Sequence, residues 1–348
     1  MPFVYQVCRT WQVDRYLATN APLEPLPTPF ADLRGSLHVH SAAGSHSLGT
    51  YPEILAAARQ AGYRYLLLTE HPKDYSLFQP LDDPDVLMIY GWELERPDGT
   101  RELVDPERRL RIWSDFKDGP VPDDVNGIEL FNLADSAASR NHPAGWVTWL
   151  YHRVLFPDLF GLHAWELDPG RFRIWDDATR RRALAAVAGN DAHQNLGILV
   201  VTGDGKRLLS LFVDPYFQSL SFVTNHAQIP RTQPVSRESV IEALATGASY
   251  ICFERLGDPT GFSFHAENGN LIVPMGAPVP AGARLVFQAP RRVRFRLIRD
   301  GVEHLTLEGR RFSLDAAPGI YRLEVYLLDA PPLISGKPWI LSNPLYVR

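Results

Sequence analysis

Cysteine is almost missing from this chain. Cys8 and Cys252 stand far apart, which argues against both a disulfide framework and a thiolate metal site. No apolar run approaches the roughly 20 residues that cross a bilayer. The opening stretch, Met-Pro-Phe-Val-Tyr-Gln-Val-Cys-Arg-Thr, lacks the basic region and apolar core of a secretory signal. The expectation is a cytoplasmic protein with no membrane partner. Positive charge is not in surplus either: 35 Lys and Arg face 40 Asp and Glu, so nothing electrostatic favours nucleic acid. Against these absences, 348 residues with 45% hydrophobic content suffice for a full-sized core and two domains.

Taken in order, Phe3, Tyr5 and Val7 alternate as in a short strand, and the proline-rich residues 21–29 form an extended part of a lead-in over 1–30. A strand is expected over Leu33–His40, then a helix capped by Thr50 from Tyr51 to Gly62. Tyr63–Thr69 and Val86–Tyr90 are compact apolar runs of the kind that fill a buried parallel sheet. Gly127–Asn132 is a fourth strand, residues 143–180 an aromatic-rich helical insertion, and Ala183–Ala188 leads into a fifth strand end. Ser221–Asn225 reads as a strand and Ser236–Thr246 as a helix capped by Ser236 and stopped by Gly247. Beyond residue 256 the pattern changes to alternation, with Asp300-Gly301 a type I′ hairpin signal, so 256–348 reads as a small antiparallel, sandwich-like β domain. Arg291, Arg292, Arg294, Arg296 and Arg299 alternate with apolar residues, as on the solvated face of a strand. Gly203–Lys206 reads as a hairpin turn.

Polar residues gather where the apolar strands end. His38-Val39-His40 places two imidazoles on one face of an extended strand, and a loop follows that carries His46. Glu70-His71, Gly91-Trp92-Glu93 and Gly189-Asn190-Asp191-Ala192-His193 close three further apolar runs. In α/β folds chemistry sits at such C-terminal strand ends. Each piece alone has a plainer reading: Glu70-His71 as a helix cap, Asp191-Ala-His193 as a turn, Glu93 as a partner for Arg96. Together, mixed imidazole and carboxylate groups suit Zn²⁺, Mn²⁺ or Fe²⁺, and paired cations lower the pKa of bound water. His152, His163, His226, His265 and His304 have no partnered spacing and read as ordinary residues.

Leu-His38-Val-His40-Ser with His46, Leu-Thr-Glu-His71, Gly-Trp-Glu93 and Gly-Asn-Asp191-Ala-His193, in that order, resemble the motifs of PHP (polymerase and histidinol phosphatase) metallohydrolases over residues 33–255. Ser236-(x)3-Val240-Ile-Glu-Ala-Leu-(x)2-Gly-(x)2-Tyr250 and Pro338-Trp-Ile-Leu-Ser-Asn-Pro344-Leu-Tyr are similar to the branch that includes carbaryl hydrolase. The resemblance implies a distorted (β/α)7 barrel over 31–255 holding two or three divalent ions. His38, His40, Glu93 and Asp191 would hold one, Glu93 would bridge to a second, and His46, His71 and His193 would hold a third. Asp191 and His193 would manage protons. The family also has a His-Pro motif before a Glu-x-x-Asn strand. Glu129-Leu-Phe-Asn132 matches that strand, yet Asn141-His142-Pro143 follows it. Either the order is rearranged, with His142 as the ligand, or the second metal lacks one. The implied activity is hydrolysis of a small anionic phosphoester by metal-activated hydroxide. A carboxyl or carbamate ester hydrolase and a catalytically weakened interaction module are the alternatives.

Overall fold

The computed structural model describes residues 2–19, 24–44, 47–71, 83–138, 154–159, 161–162, 165–195, 197–201, 207–212 and 214–348. The N-terminus departs from expectation: Pro2–Thr19 is a helix (α1), not a strand. Thr10 and Val13 are buried and Tyr16 and Leu17 pack on the main core, which is helical spacing. Three alternating residues were too short a signal to outweigh it. Among the described residues no helix is long and apolar enough to cross a membrane.

The chain then runs through β1 (Phe30–Val39), α2 (Tyr51–Gln60), β2 (Tyr65–Glu70) and β3 (Leu87–Glu95). Next come β4 (Arg101–Val104), β5 (Arg111–Ser114) and β6 (Gly127–Asn132). The helices α3 (Leu133–Ala138) and α4 (Pro169–Thr179) precede β7 (Ala185–Ala192). As its sequence indicates, α2 starts at a capping box: the Thr50 N–H donates to Glu53 Oε2 at 2.8 Å.

Seven strands close a barrel. β1–β2–β3 are parallel, β4 runs antiparallel to both β3 and β5, and β5–β6–β7 are parallel. β7 pairs parallel with β1 to complete the ring. The strict alternation of strand and helix is interrupted, since β3, β4 and β5 follow one another as hairpins. β2 is buried on both faces, which explains its unbroken apolar run.

A β8–β9 hairpin (Gly197–Val201 and Arg207–Phe212) follows, its turn at 203–206 lying outside the described residues. After α5 (Tyr216–Leu220) comes β10 (Thr224–Pro230), which pairs antiparallel with the first half of β1. That pairing makes β1 begin at Phe30 rather than Leu33. α6 (Arg237–Thr246) has the Ser236 cap and Gly247 in a left-handed conformation, φ 85°, as its sequence indicates. β11 (Ser249–Cys252) pairs with β10.

The C-terminal strands are β12 (Ser263–Asn268), β13 (Leu271–Pro274), β14 (Pro278–Val279) and β15 (Arg284–Arg299). They end with β16 (Val302–Asp315), β17 (Gly319–Leu327), β18 (Ile340–Ser342) and β19 (Leu345–Val347). Asp300 and Gly301, both at positive φ, turn β15 into β16. The arginine stripe of β15 carries surface ion pairs, Arg294 with Glu308 and Arg296 with Glu303. Most pairings are antiparallel; β14 and β19 are parallel. The tail strands share the barrel's sheet, because β18 pairs with β11 and so continues the series β1–β10–β11.

Two asparagines bind this extension to the barrel. β7 pairs with β6 from Ala185 to Gly189 but meets β1 only near Gly189 and Ala192. On the open side, Asn343 accepts from the Ala186 N–H at 2.7 Å and donates to its carbonyl at 3.0 Å. Asn225 does the same for Ala188, at 2.8 and 2.7 Å. Each amide stands in for a missing strand neighbour. Replacing Asn343 by Ala would leave buried peptide groups of β7 unpaired, and urea unfolding should show a loss of about 2–4 kcal/mol.

A buried ion network ties β1, β10 and β11 together. His226 sits between Asp32 Oδ1 at 2.9 Å and Glu254 Oε1 at 2.8 Å, and Tyr250 donates to Asp32 at 2.6 Å. Its partners lie far away in sequence, so spacing could not reveal them. Burial alone would lower the imidazole pKa, but the two carboxylates raise it from 6.5 to about 9. The stabilisation is therefore complete below pH 6.5 and lost as pH rises through about 9. Denaturant midpoints measured from pH 6 to 10 should fall across this window, and a His226→Gln variant should flatten the decline.

Candidate metal centre

The expected histidine pair emerges from an irregular stretch. Between Leu37 and Val39 the β1–β7 register shifts, with Leu37 opposite Gly189 and Val39 opposite Ala192. His38 has φ 62° and Asp191 φ 46°, so both strands carry a non-glycine residue in the left-handed region at the same level. The simple alternation inferred for an extended strand is thus replaced by a bulge, which turns both side chains into one pocket. Beyond it the ladder resumes, the His40 N–H donating to the Ala192 carbonyl at 3.1 Å.

Four buried or half-buried side chains converge there. His38 Nε2 lies 3.5 Å from both Glu93 Oε2 and Asp191 Oδ1. His40 Nε2 lies 3.4 Å from Glu93 Oε2 and 3.3 Å from Asp191 Oδ1. These separations are long for charge-assisted hydrogen bonds. Each imidazole–carboxylate separation matches that of co-ligands: two donors placed tetrahedrally about 2.1 Å from one ion stand about 3.4 Å apart. The donor set, two imidazoles and two carboxylates, suits a borderline divalent metal. The residues present therefore fit such an ion.

Supporting contacts hold the donors. Glu129, fully buried on β6, accepts at Oε1 from His38 Nδ1 at 2.6 Å, which directs Nε2 into the cluster. Glu129 Oε2 accepts from Ser114 Oγ at 2.7 Å and Asn132 Nδ2 at 3.2 Å. A Cβ on residue 189 would run into Glu129 Oε1, so the glycine of the Gly-Asn-Asp motif makes room for this carboxylate. Tyr216 of α5 donates to the His40 carbonyl at 2.6 Å. The Ser41 N–H donates to Glu70 Oε1 at 2.9 Å, which fixes the loop leaving β1.

The electrostatics follow from burial and charge together. Burial opposes protonation of His38, yet Glu129 and Asp191 raise its pKa well above 6.5. Burial pushes His40 down to about 3, so its nitrogens are neutral. Burial would raise Glu93, but the hydrogen bond and charge of His38 bring it to about 2. Asp191 is likewise held well below the usual carboxylate range by His38 and His40, against its burial. Glu70, without such partners, is pushed by burial up to about 7. Glu93 and Asp191 are therefore anionic at neutral pH, beside a neutral His40.

The remaining expected residues divide. His71 Nε2 is 3.2 Å from Glu93 Oε2, and its ring stacks on that of His40, with centroids 5.1 Å apart. The His193 ring also stacks on that of His40, centroids 4.5 Å apart, with Nδ1 donating to the Asp191 carbonyl at 2.8 Å. His46 and His142 lie outside the described residues, as do His152 and His163. Arg96 pairs with Glu102 and Asp124; the arginine beside Glu93 is Arg101, at 3.3 Å. Sequence reasoning recognised Glu129 only as part of a strand motif and missed Arg101 altogether. His226, Cys252 and Glu254 form a separate group, but both nitrogens of His226 already face carboxylate oxygens, so it is an ion network rather than a donor set.

No protein-family model and no curated protein matches this chain. Among solved structures, it is similar to a two-domain protein from Bacteroides vulgatus containing a predicted PHP-like metal-dependent phosphoesterase. The TM-score is 0.40 at 12% sequence identity, covering 94% of this chain and 98% of that one. The metal-centre reading rests on the donor geometry.

Glu129 offers a direct check. Glu129→Gln keeps the shape but weakens the hydrogen bond that orients His38, and should lower Mn²⁺ or Zn²⁺ affinity by about 10–100-fold in a competition titration.

Proposed function

We propose that this protein is a metal-dependent hydrolase acting on a small anionic phosphoester. The observation that carries the reading is the convergence of His38, His40, Glu93 and Asp191 on the C-terminal ends of barrel strands, each imidazole lying 3.3–3.5 Å from both carboxylates. A divalent ion held there supplies Lewis acidity and makes hydroxide available near neutral pH.

The chain's own residues do the rest. Glu129 fixes the tautomer of His38 and keeps its Nε2 directed at the centre. Because His193 Nδ1 donates to a carbonyl, its Nε2 bears the lone pair of the neutral ring. His193 is only part-buried, so Nε2 can accept a proton from water or return one to a leaving alcohol. Asp191, anionic at neutral pH, contributes both to the donor set and to the polarity around His193. The motifs imply two or three ions, with His46 and His142 among their ligands; the donor geometry supports the one ion held by His38, His40, Glu93 and Asp191.

The test begins with chelator-treated protein assayed on p-nitrophenyl phosphate before and after restoring Mn²⁺, Zn²⁺ or Fe²⁺. Activity should depend on the metal, and His40→Ala and Asp191→Asn should each lose at least about 100-fold in kcat/KM. Metal-dependent turnover of carboxyl or carbamate esters, with none on phosphoesters, would reassign the substrate. A metal-loaded protein inert toward all three would support the interaction-module reading.

A further inference from the structure

The two oxygens of Glu93 face different surroundings. Oε2 looks onto the Nε2 atoms of His38, His40 and His71, at 3.5, 3.4 and 3.2 Å. Oε1 looks onto Arg101 Nη1 at 3.3 Å. The sheet sets this up: Glu93 pairs with Leu103 and Glu95 with Arg101 across β3 and β4, which puts Arg101 diagonally next to Glu93 on one face. No histidine occurs anywhere from residue 94 to residue 128, so this stretch brings an arginine to the carboxylate and no imidazole.

Arg101 also lies 3.4 Å from His71 Nδ1 and 3.6 Å from Asp115 Oδ2. A guanidinium has donors only, so Nδ1 must be the acceptor in the His71 contact. The neutral His71 ring then bears its proton on Nε2, which faces Glu93 Oε2 as a donor. The guanidinium is permanently charged, and a divalent ion bound to Glu93 Oε1 would face it at close range.

We infer that Arg101 takes the cation position at Glu93 Oε1 that a Glu93-bridged second metal would occupy, and presents its outward donors to an anionic group of the substrate. The inference rests on the metal-centre reading and deepens it. In this arrangement His38, His40, Glu93 and Asp191 hold their ion without a partner bridged through Glu93. His71 serves as a relay between Arg101 and Glu93. The Arg101 side chain is 36% exposed; Nη1 faces Glu93 and His71 and Nε faces Asp115, so Nη2 is the nitrogen left to donate to an anionic oxygen at the rim.

The full chain, stripped with chelator and dialysed against Mn²⁺, allows bound metal to be counted by mass spectrometry. Arg101→His exchanges the guanidinium for an imidazole and should hold one more equivalent than the wild type. Arg101→Gln should keep the wild-type count, while its Mn²⁺-loaded form binds inorganic phosphate at least about tenfold more weakly by calorimetry. An unchanged count in Arg101→His, or unchanged phosphate affinity in Arg101→Gln, overturns the inference. Wild-type protein that takes up no Mn²⁺ would overturn the metal-centre reading beneath it, which is a separate result.

Discussion

The contact between β1 and β7 is the constraint on which the rest depends. It closes the barrel, and it is also where the ladder breaks, with His38 and Asp191 held in the left-handed region. A regular parallel pair would leave neither side chain aimed as it is. The cost of two unfavourable backbone conformations is sustained because the surroundings over-determine them. Glu129 grips His38 from β6, Gly189 leaves room for that grip, and the His40 amide resumes the ladder immediately beyond.

Much of the centre was legible because its residues sit close together in sequence at the ends of apolar runs. His38 with His40, Glu70 with His71, and Asp191 with His193 all carry their chemistry in short motifs, and parallel-strand topology brings such ends together. The bulge was not legible, since nothing in Leu-His-Val-His distinguishes a flat strand from a kinked one. Glu129 acts through a contact 91 residues away, and Arg101 through a hairpin register that the sequence does not specify. His226 looked unpartnered for the same reason: Asp32 and Glu254 are distant in sequence and adjacent only in the sheet.

The coarse fold followed a similar division. Parallel strands, the caps of α2 and α6, and the Asp300-Gly301 turn are governed by local rules, and each was readable from the chain. The N-terminal helix is masked in the sequence by the alternation of Phe3, Tyr5 and Val7, and its helical spacing shows only in Thr10, Val13 and Leu17 that follow. The change to alternating strands after residue 256 was clear in the pattern. The union of those strands with the barrel sheet was not, because strand pairing is a long-range property that periodicity does not encode.

Asn343 has a consequence for how the protein is made. The side chain that completes the peptide bonding of Ala186 is synthesised long after His38, Glu93 and Asp191 have left the ribosome. Until it arrives, the Ala186 peptide groups on the edge of β7 lack their partner. A chain that already carries all four central residues still lacks the amide that completes the β7 bonding beside them. The centre is in this sense coupled to a strand far along the chain, through an amide that touches none of those donors.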